Sequence, residues 1–242
     1  MIAPIDVVLL DLGNTLFYDN AAAWPKVYAR AEGALWRVLH RSGVKVDPAR
    51  VYGNSDTLLG HYYALRGTDV WEPGTFQVLR DLLRPHAPGI SDAPITRALH
   101  AMYRVTQSNW KVEKHAAPVL RSLKRRGFRI GAVSNGSDDW NALELLNRAR
   151  LRGYFDLVLT SAAHGRRKPD ATIFQAALDH FRADAQRTVM IGDSYEADIL
   201  GASALGLHTI WITRRVASPT MTPTVEADAT LGTIREVPAV LG

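Results

Sequence analysis

Three carboxylates, a hydroxyl and an amine could do chemistry together: Asp11, Ser134 and Asp193 where apolar runs end, Asp198 in the helical turn after one, and Lys168 on a loop before a helix. Asp11 closes the run Ile5-Asp6-Val7-Val8-Leu9-Leu10 and opens the turn Leu12-Gly13-Asn14. Such a run, halted by a carboxylate and a glycine, reads as a buried strand. It delivers a side chain to the carboxyl edge of a sheet, where open α/β sheets bind ligands. There Asp11 could be a nucleophile, a metal ligand or both, the alternative being a turn-forming or helix-capping aspartate. Asp193 follows the run Thr188-Val189-Met190-Ile191-Gly192, and Asp198 falls in the first helical turn after it. Dipole compensation alone would explain an acid there. If Asp11, Asp193 and Asp198 converge, however, they crowd like charges, which is unfavourable unless a hard divalent cation such as magnesium sits among them. Ser134 and Lys168 would add a hydrogen-bond donor and a point charge, what the equatorial oxygens of a phosphoryl group require. Taken singly, Ser134 also reads as a turn residue and Lys168 as a solvated charge.

The elements that must position these groups follow from texture. After Leu16, a stretch with helical spacing runs from a cap at Asn20 through Trp24, Val27, Leu35, Val38 and Leu39 to a stop at Gly43. Asp47-Pro48 predicts a second helix carrying Val51, Leu58, Leu59, Tyr62 and Tyr63 to Gly67. Two more are predicted over about 75–83 and 93–109. Residues 18–112 therefore read as all-helical, an insertion within a chain that otherwise alternates helix and strand. From Pro118 onward the order is a helix to Gly127, a strand over 128–133 and a helix capped by Ser137. It continues with a strand over 156–160, a helix carrying Ile173 to Phe181, the strand before Gly192, a helix to about Leu205, and a last strand over 208–212. Ser218 to Val225 is a Pro/Thr-rich loop. The fold class is α/β: a Rossmann-like, doubly wound parallel sheet over 1–17 and 113–242, with the helical cap over 18–112.

With 242 residues, 47% of them hydrophobic, there is material for a sizeable core. Cysteine is absent, which excludes disulfides, thiolate nucleophiles and cysteine-ligated zinc. The net charge of +5 is scattered over Lys124-Arg125-Arg126, Arg166-Arg167-Lys168 and Arg214-Arg215 without aromatic interleaving, so no nucleic-acid partner is expected. The first apolar run is too short and too acidic for a signal peptide or a membrane span, and a cytoplasmic protein is the expectation.

The motifs in their order resemble the haloacid dehalogenase superfamily of hydrolases: Asp11 to Leu16, Ser134-Asn135, Lys168-Pro169, and Gly192-Asp193-Ser194 extended to Asp198. The resemblance implies a Rossmann-like core whose helical cap closes over the site. It implies Asp11 as the nucleophile of an aspartyl-phosphate intermediate, with Ser134, Asn135 and Lys168 on the phosphoryl group of a small phosphorylated substrate. It also implies a Mg2+ ion held by Asp11, the Gly13 carbonyl, Asp193 and Asp198. One position departs from the pattern. The family's phosphatases carry a second aspartate two residues after the nucleophile as general acid and base, and here that residue is Gly13. Such help is worth about 10² to 10⁴ in rate, or roughly 3 to 5 kcal/mol of barrier. A magnesium-dependent phosphatase is the leading expectation, and an impaired phosphate-binding or regulatory protein is the alternative. Phosphonate cleavage with Lys26 as a cap lysine is a third reading. Trp24, Tyr18, His61, Trp71 and Trp110 are candidates to line the pocket, and His61, His115 and His164 are candidates to replace the missing acid.

Overall fold

The apolar run before Asp11 forms β1 (Val7–Leu10), buried along its whole length at the centre of a parallel sheet. The computed structural model describes residues 4–67, 69–215 and 223–241. After the turn comes β2 (Phe17–Asp19), then α1 (Trp24–Arg41), α2 (Leu58–Arg66), α3 (Thr75–Leu83) and α4 (Asp92–Thr106). β3 (Trp110–Val112) returns antiparallel to β2, so a two-stranded ribbon joins the helical insertion to the rest. The second half alternates: α5 (Ala116–Arg125), β4 (Arg129–Ser134), α6 (Asp139–Arg148), β5 (Leu157–Thr160), α7 (Ser161–His164) and α8 (Ala171–Phe181). It closes with β6 (Thr188–Gly192), a π-helical segment (Tyr195–Leu200), α9 (Gly201–Ser203), β7 (His208–Ile212), β8 (Ala229–Leu231) and α10 (Val237–Val240).

The large sheet has six strands in the order β5-β4-β1-β6-β7-β8, with every neighbouring pair parallel. Side chains of β1 alternate between its faces: Val8 and Leu10 join one apolar cluster, Val7 and Leu9 another, the period expected of a strand covered on both sides. The insertion has a core of its own, built from Leu35, Leu39, Leu79 and Leu99 among others. Each fully buried leucine contributes about 1.5 to 3 kcal/mol relative to exposure, and Trp140 of α6 packs against the same cluster from the sheet side.

Several local expectations need correction. The helix expected from Asp47 onward is a 3-10 turn (Pro48–Arg50) and an irregular stretch, because Gly53 takes φ +60 and interrupts it; α2 starts only where Thr57 caps it by accepting from the Gly60 N–H at 3.0 Å. The cap of α6 is Asp138, whose Oδ1 accepts from the Asn141 N–H at 2.8 Å, and not Ser137. Tyr18, Asp19 and Trp110 to Val112 are strand at the margins of the insertion, in segments too short to show a period. β8 was not expected, and the helix after Asp193 opens as a π-helix. Of the Pro/Thr-rich loop, residues 218–222 lie outside the described residues. Among the described residues, no helix is long and apolar enough to cross a membrane.

Candidate active site

Parallel register brings the distant motifs to one edge. Leu10 pairs with Ala132 of β4 and with Ile191 of β6, so Asp11 emerges beside the ends of both strands, and its N–H donates to the Ile191 carbonyl at 2.9 Å. The turn that follows needs a left-handed residue, which Asn14 supplies at φ +50. Ser134 ends β4, and Asp193 follows β6 directly. Gly192 is required at that end of β6, since a Cβ there would lie 2.1 Å from Asp198 Oδ2.

Lys168 sits at the centre of the cluster. Its Nζ donates to Asp11 Oδ1 at 2.8 Å, to Asp198 Oδ1 at 2.6 Å and to the Val133 carbonyl at 2.7 Å, so all its N–H donors are engaged. The residue is held from behind by Asn135, whose Oδ1 accepts from the Lys168 N–H at 2.8 Å and whose Nδ2 donates to the Lys168 carbonyl at 2.9 Å. The Lys168–Pro169 peptide is cis. Asp198 uses its other oxygen as well, accepting from the Ser194 N–H at 3.0 Å, while Ser194 Oγ accepts from the Ala197 N–H. The widened π-helical turn carries Asp198 back toward Ser194 and inward to Lys168, with 1% of the residue exposed.

Asp11, Asp193 and Asp198 each present an oxygen within 4.8 Å of the others. Burial pushes the Asp193 carboxyl well above the usual range, and the charges of Asp11 and Asp198 push it further. Burial raises Asp198 too, against the pull of Lys168. For Lys168 burial alone would lower the ammonium, but Asp11 and Asp198 outweigh it and hold the group at about 12. Three carboxylates and one ammonium leave a formal charge of −2, one divalent cation short of neutral. An all-oxygen donor set of this charge fits a hard ion of the magnesium kind. The Gly13 carbonyl accepts from the Thr15 N–H at 2.6 Å within the same turn.

The acidic cluster opens into a cleft of ≈ 320 Å³ between sheet edge and insertion, and Gly13, Ser134 and Asn135 border both. Of the aromatic candidates, Trp24 and Trp110 line this cleft. Tyr18 instead lies under the Arg215 guanidinium, 3.8 Å from the ring centre, and His61 and Trp71 border a separate groove on the insertion. None of His61, His115 and His164 borders the cleft: His61 faces the Tyr52 carbonyl, His164 faces Thr172 Oγ1, and His115 precedes α5. Lys26 is exposed on α1, away from it. Of the three histidines, only His61 lies on a helix of the insertion, and it is on a face turned away from the cleft; His115 and His164 belong to the sheet half.

Sequence reasoning missed the fastening between insertion and sheet edge. Glu72, 2% exposed, accepts from Ser161 Oγ at 2.8 Å and from the Tyr62 hydroxyl, and its backbone N–H donates to Gly165 at 3.0 Å. Arg167, next to Lys168, donates to the carbonyls of Trp71 and Gly67. The Thr75 N–H donates to the Ser137 carbonyl, and the Tyr103 hydroxyl bonds both Thr75 and Ser137 side chains. Each partner is a common polar residue in an unremarkable stretch, so no local signal points to it.

A model of haloacid dehalogenase-like hydrolases matches residues 5–206. The chain belongs to the haloacid dehalogenase-like hydrolases. Among relatives in this family, a glyceraldehyde 3-phosphate phosphatase of Pyrococcus abyssi is 36% identical over 210 residues, covering 86% of this chain and 81% of that one. A phosphoserine phosphatase of Thermus thermophilus is 33% identical over 250 residues, covering 96% and 97%. A haloacid dehalogenase-like hydrolase domain-containing protein 3 from Bos taurus is 37% identical over 131 residues, and that match spans about half of it, 51%. A solved HAD phosphatase of Thermococcus onnurineus shares the fold at a TM-score of 0.65 and 20% identity, over 98% of each chain.

Proposed function

We propose that this hydrolase is a Mg2+-dependent phosphatase acting on a small phosphorylated metabolite. The observation that carries the reading is Lys168 between Asp11 and Asp198, with Asp193 completing a carboxylate cluster beside an open cleft. The phosphatase names of the Pyrococcus abyssi and Thermus thermophilus relatives support it. Asp11, Asp193, Asp198 and the Gly13 carbonyl would hold Mg2+, which when bound supplies positive charge for the phosphoryl oxygens.

In this reading a carboxylate oxygen of Asp11 attacks phosphorus, an O–P bond forms, and the P–O bond to the leaving group breaks as the leaving oxygen takes its proton from water in the cleft. Water then cleaves the aspartyl-phosphate, releasing phosphate and restoring Asp11. Lys168 orients Asp11 and offsets the charge gathered around it. Asn135, with both amide functions on the Lys168 backbone, positions that lysine. The Ser134 hydroxyl borders both cluster and cleft, where it can donate to a phosphoryl oxygen.

Gly13 has no side chain to protonate the leaving group, and this favours the second reading, a phosphate-binding or regulatory protein with little turnover. One experiment separates them: hydrolysis by the purified chain, with Mg2+ or with chelator, of esters graded in leaving-group basicity. The phosphatase reading expects Mg2+-dependent turnover, fastest for activated aryl esters and lost in Asp11→Asn. Stabilisation by inorganic phosphate without turnover of any ester would instead support the binding protein.

A further inference from the structure

We propose that the cleft beside Gly13 takes an uncharged aromatic or apolar leaving group and turns away esters that carry a second anion. The assignment rests on the phosphatase reading and adds the substrate class. Ring faces and edges from the insertion wall the cleft. Trp24 stacks on Tyr28 at 4.9 Å between ring centres, and Trp110 meets Trp24 edge-on at 5.9 Å, with Tyr63 and Leu59 alongside. Such walls favour flat apolar groups through burial and ring contact.

The charges point the same way. The chain has 29 lysines and arginines and 8 histidines, yet none of them is among the described residues that border the cleft. The residues outside the description, 1–3, 68, 216–222 and 242, contain no lysine, arginine or histidine either. Arg215, which reaches the ribbon at Tyr18, is paired with Glu113 at 2.6 Å. Lys168 has no free N–H to offer. A second phosphate or a carboxylate entering the cleft would lose water and meet no counter-charge, only the carboxyl groups of Asp19 and Asp138. Asp19 accepts from Trp24 Nε1 at 2.9 Å and Asp138 from the Asn141 N–H at 2.8 Å, so each carboxyl is partly satisfied within the fold, and the ring walls carry the preference for an uncharged partner.

The test uses the full chain with Mg2+ and three hydrolysis-inert phosphonates: benzylphosphonate, phosphonoacetate and 2-aminoethylphosphonate, titrated by calorimetry. Benzylphosphonate should bind at least about 30-fold tighter than either of the others. Tyr63→Lys, at a residue 51% exposed whose ring meets Tyr62 edge-on at 5.0 Å, should raise phosphonoacetate affinity at least about fivefold and weaken benzylphosphonate. Equal or tighter binding of phosphonoacetate or 2-aminoethylphosphonate by the unaltered chain overturns the proposal. In parallel, kcat/KM is measured for benzyl phosphate, 3-phosphoglycerate and phosphoethanolamine, whose leaving groups are all alcohols. Preferential binding of benzylphosphonate with no turnover of any ester would uphold the cleft assignment and refute the phosphatase reading alone.

Discussion

The ammonium of Lys168 lies 2.6 Å from Asp198 Oδ1, with both side chains 1% exposed. Removing one partner of a buried pair strands the other. Lys168→Met would leave three carboxylates with no cation among the residues holding them together, and should destabilise the fold by about 3 to 5 kcal/mol in chelator. Urea denaturation measures it. A loss under about 1 kcal/mol would show that the cluster is not held by this contact.

Gly13 has room for what it lacks. A Cβ there would sit 3.7 Å from Trp110 Cη2 and 3.9 Å from Asp11 Oδ2, ordinary contact distances. Gly13→Asp should therefore fold as the parent does and speed hydrolysis of alkyl phosphates by about 10- to 1000-fold, with a smaller gain on activated aryl esters. Steady-state kinetics on the two ester classes checks this. An equal gain on both would mean the new carboxyl does not act on the leaving group.

Asp138 gives the stability profile a predictable slope. Burial raises its carboxyl to about 6 in the folded chain, from 3.8 as the ordinary value. Below the lower value both states are protonated; between the two, the unfolded state ionises first, so the contribution to stability falls as pH rises through about 6. Asp138→Asn keeps the capping acceptor and removes the ionisation. Allowing for partial exposure, it should be more stable than the parent by about 1 to 2 kcal/mol at pH 8, the gap closing near pH 4. Melting curves across that range test it, and a constant gap would assign the effect to packing.

Glu72 links insertion to sheet edge through Ser161, and it is paired with Arg66 at 3.4 Å. Glu72→Ala strands the Tyr62 hydroxyl and the guanidinium and leaves the Ser161 hydroxyl to donate only through its longer contact to the Gly136 carbonyl at 3.3 Å, at a cost of about 2 to 4 kcal/mol. Because the same segment anchors Arg167, next to Lys168, phosphate affinity should drop along with stability. Stability and phosphate titration measured on one preparation would show whether the two are linked.

Much of this molecule was legible in the order of its residues. Strand β1 ending in Asp11, the alternation after Pro118 and the helix from Thr75 to Leu83 follow from local periodicity and punctuation, which short-range sterics and burial dictate. The ends of parallel strands must share an edge, so the meeting of Asp11, Ser134, Lys168, Asp193 and Asp198 could be anticipated from topology. The lining of the cleft could not. Whether Trp24 or His61 faces the sheet depends on how the insertion is seated, and its seating depends on Glu72 meeting Ser161 and Thr75 meeting Ser137, pairs separated by 89 and 62 residues. Contacts at that separation leave no period in the chain, because they are selected by packing between units already formed.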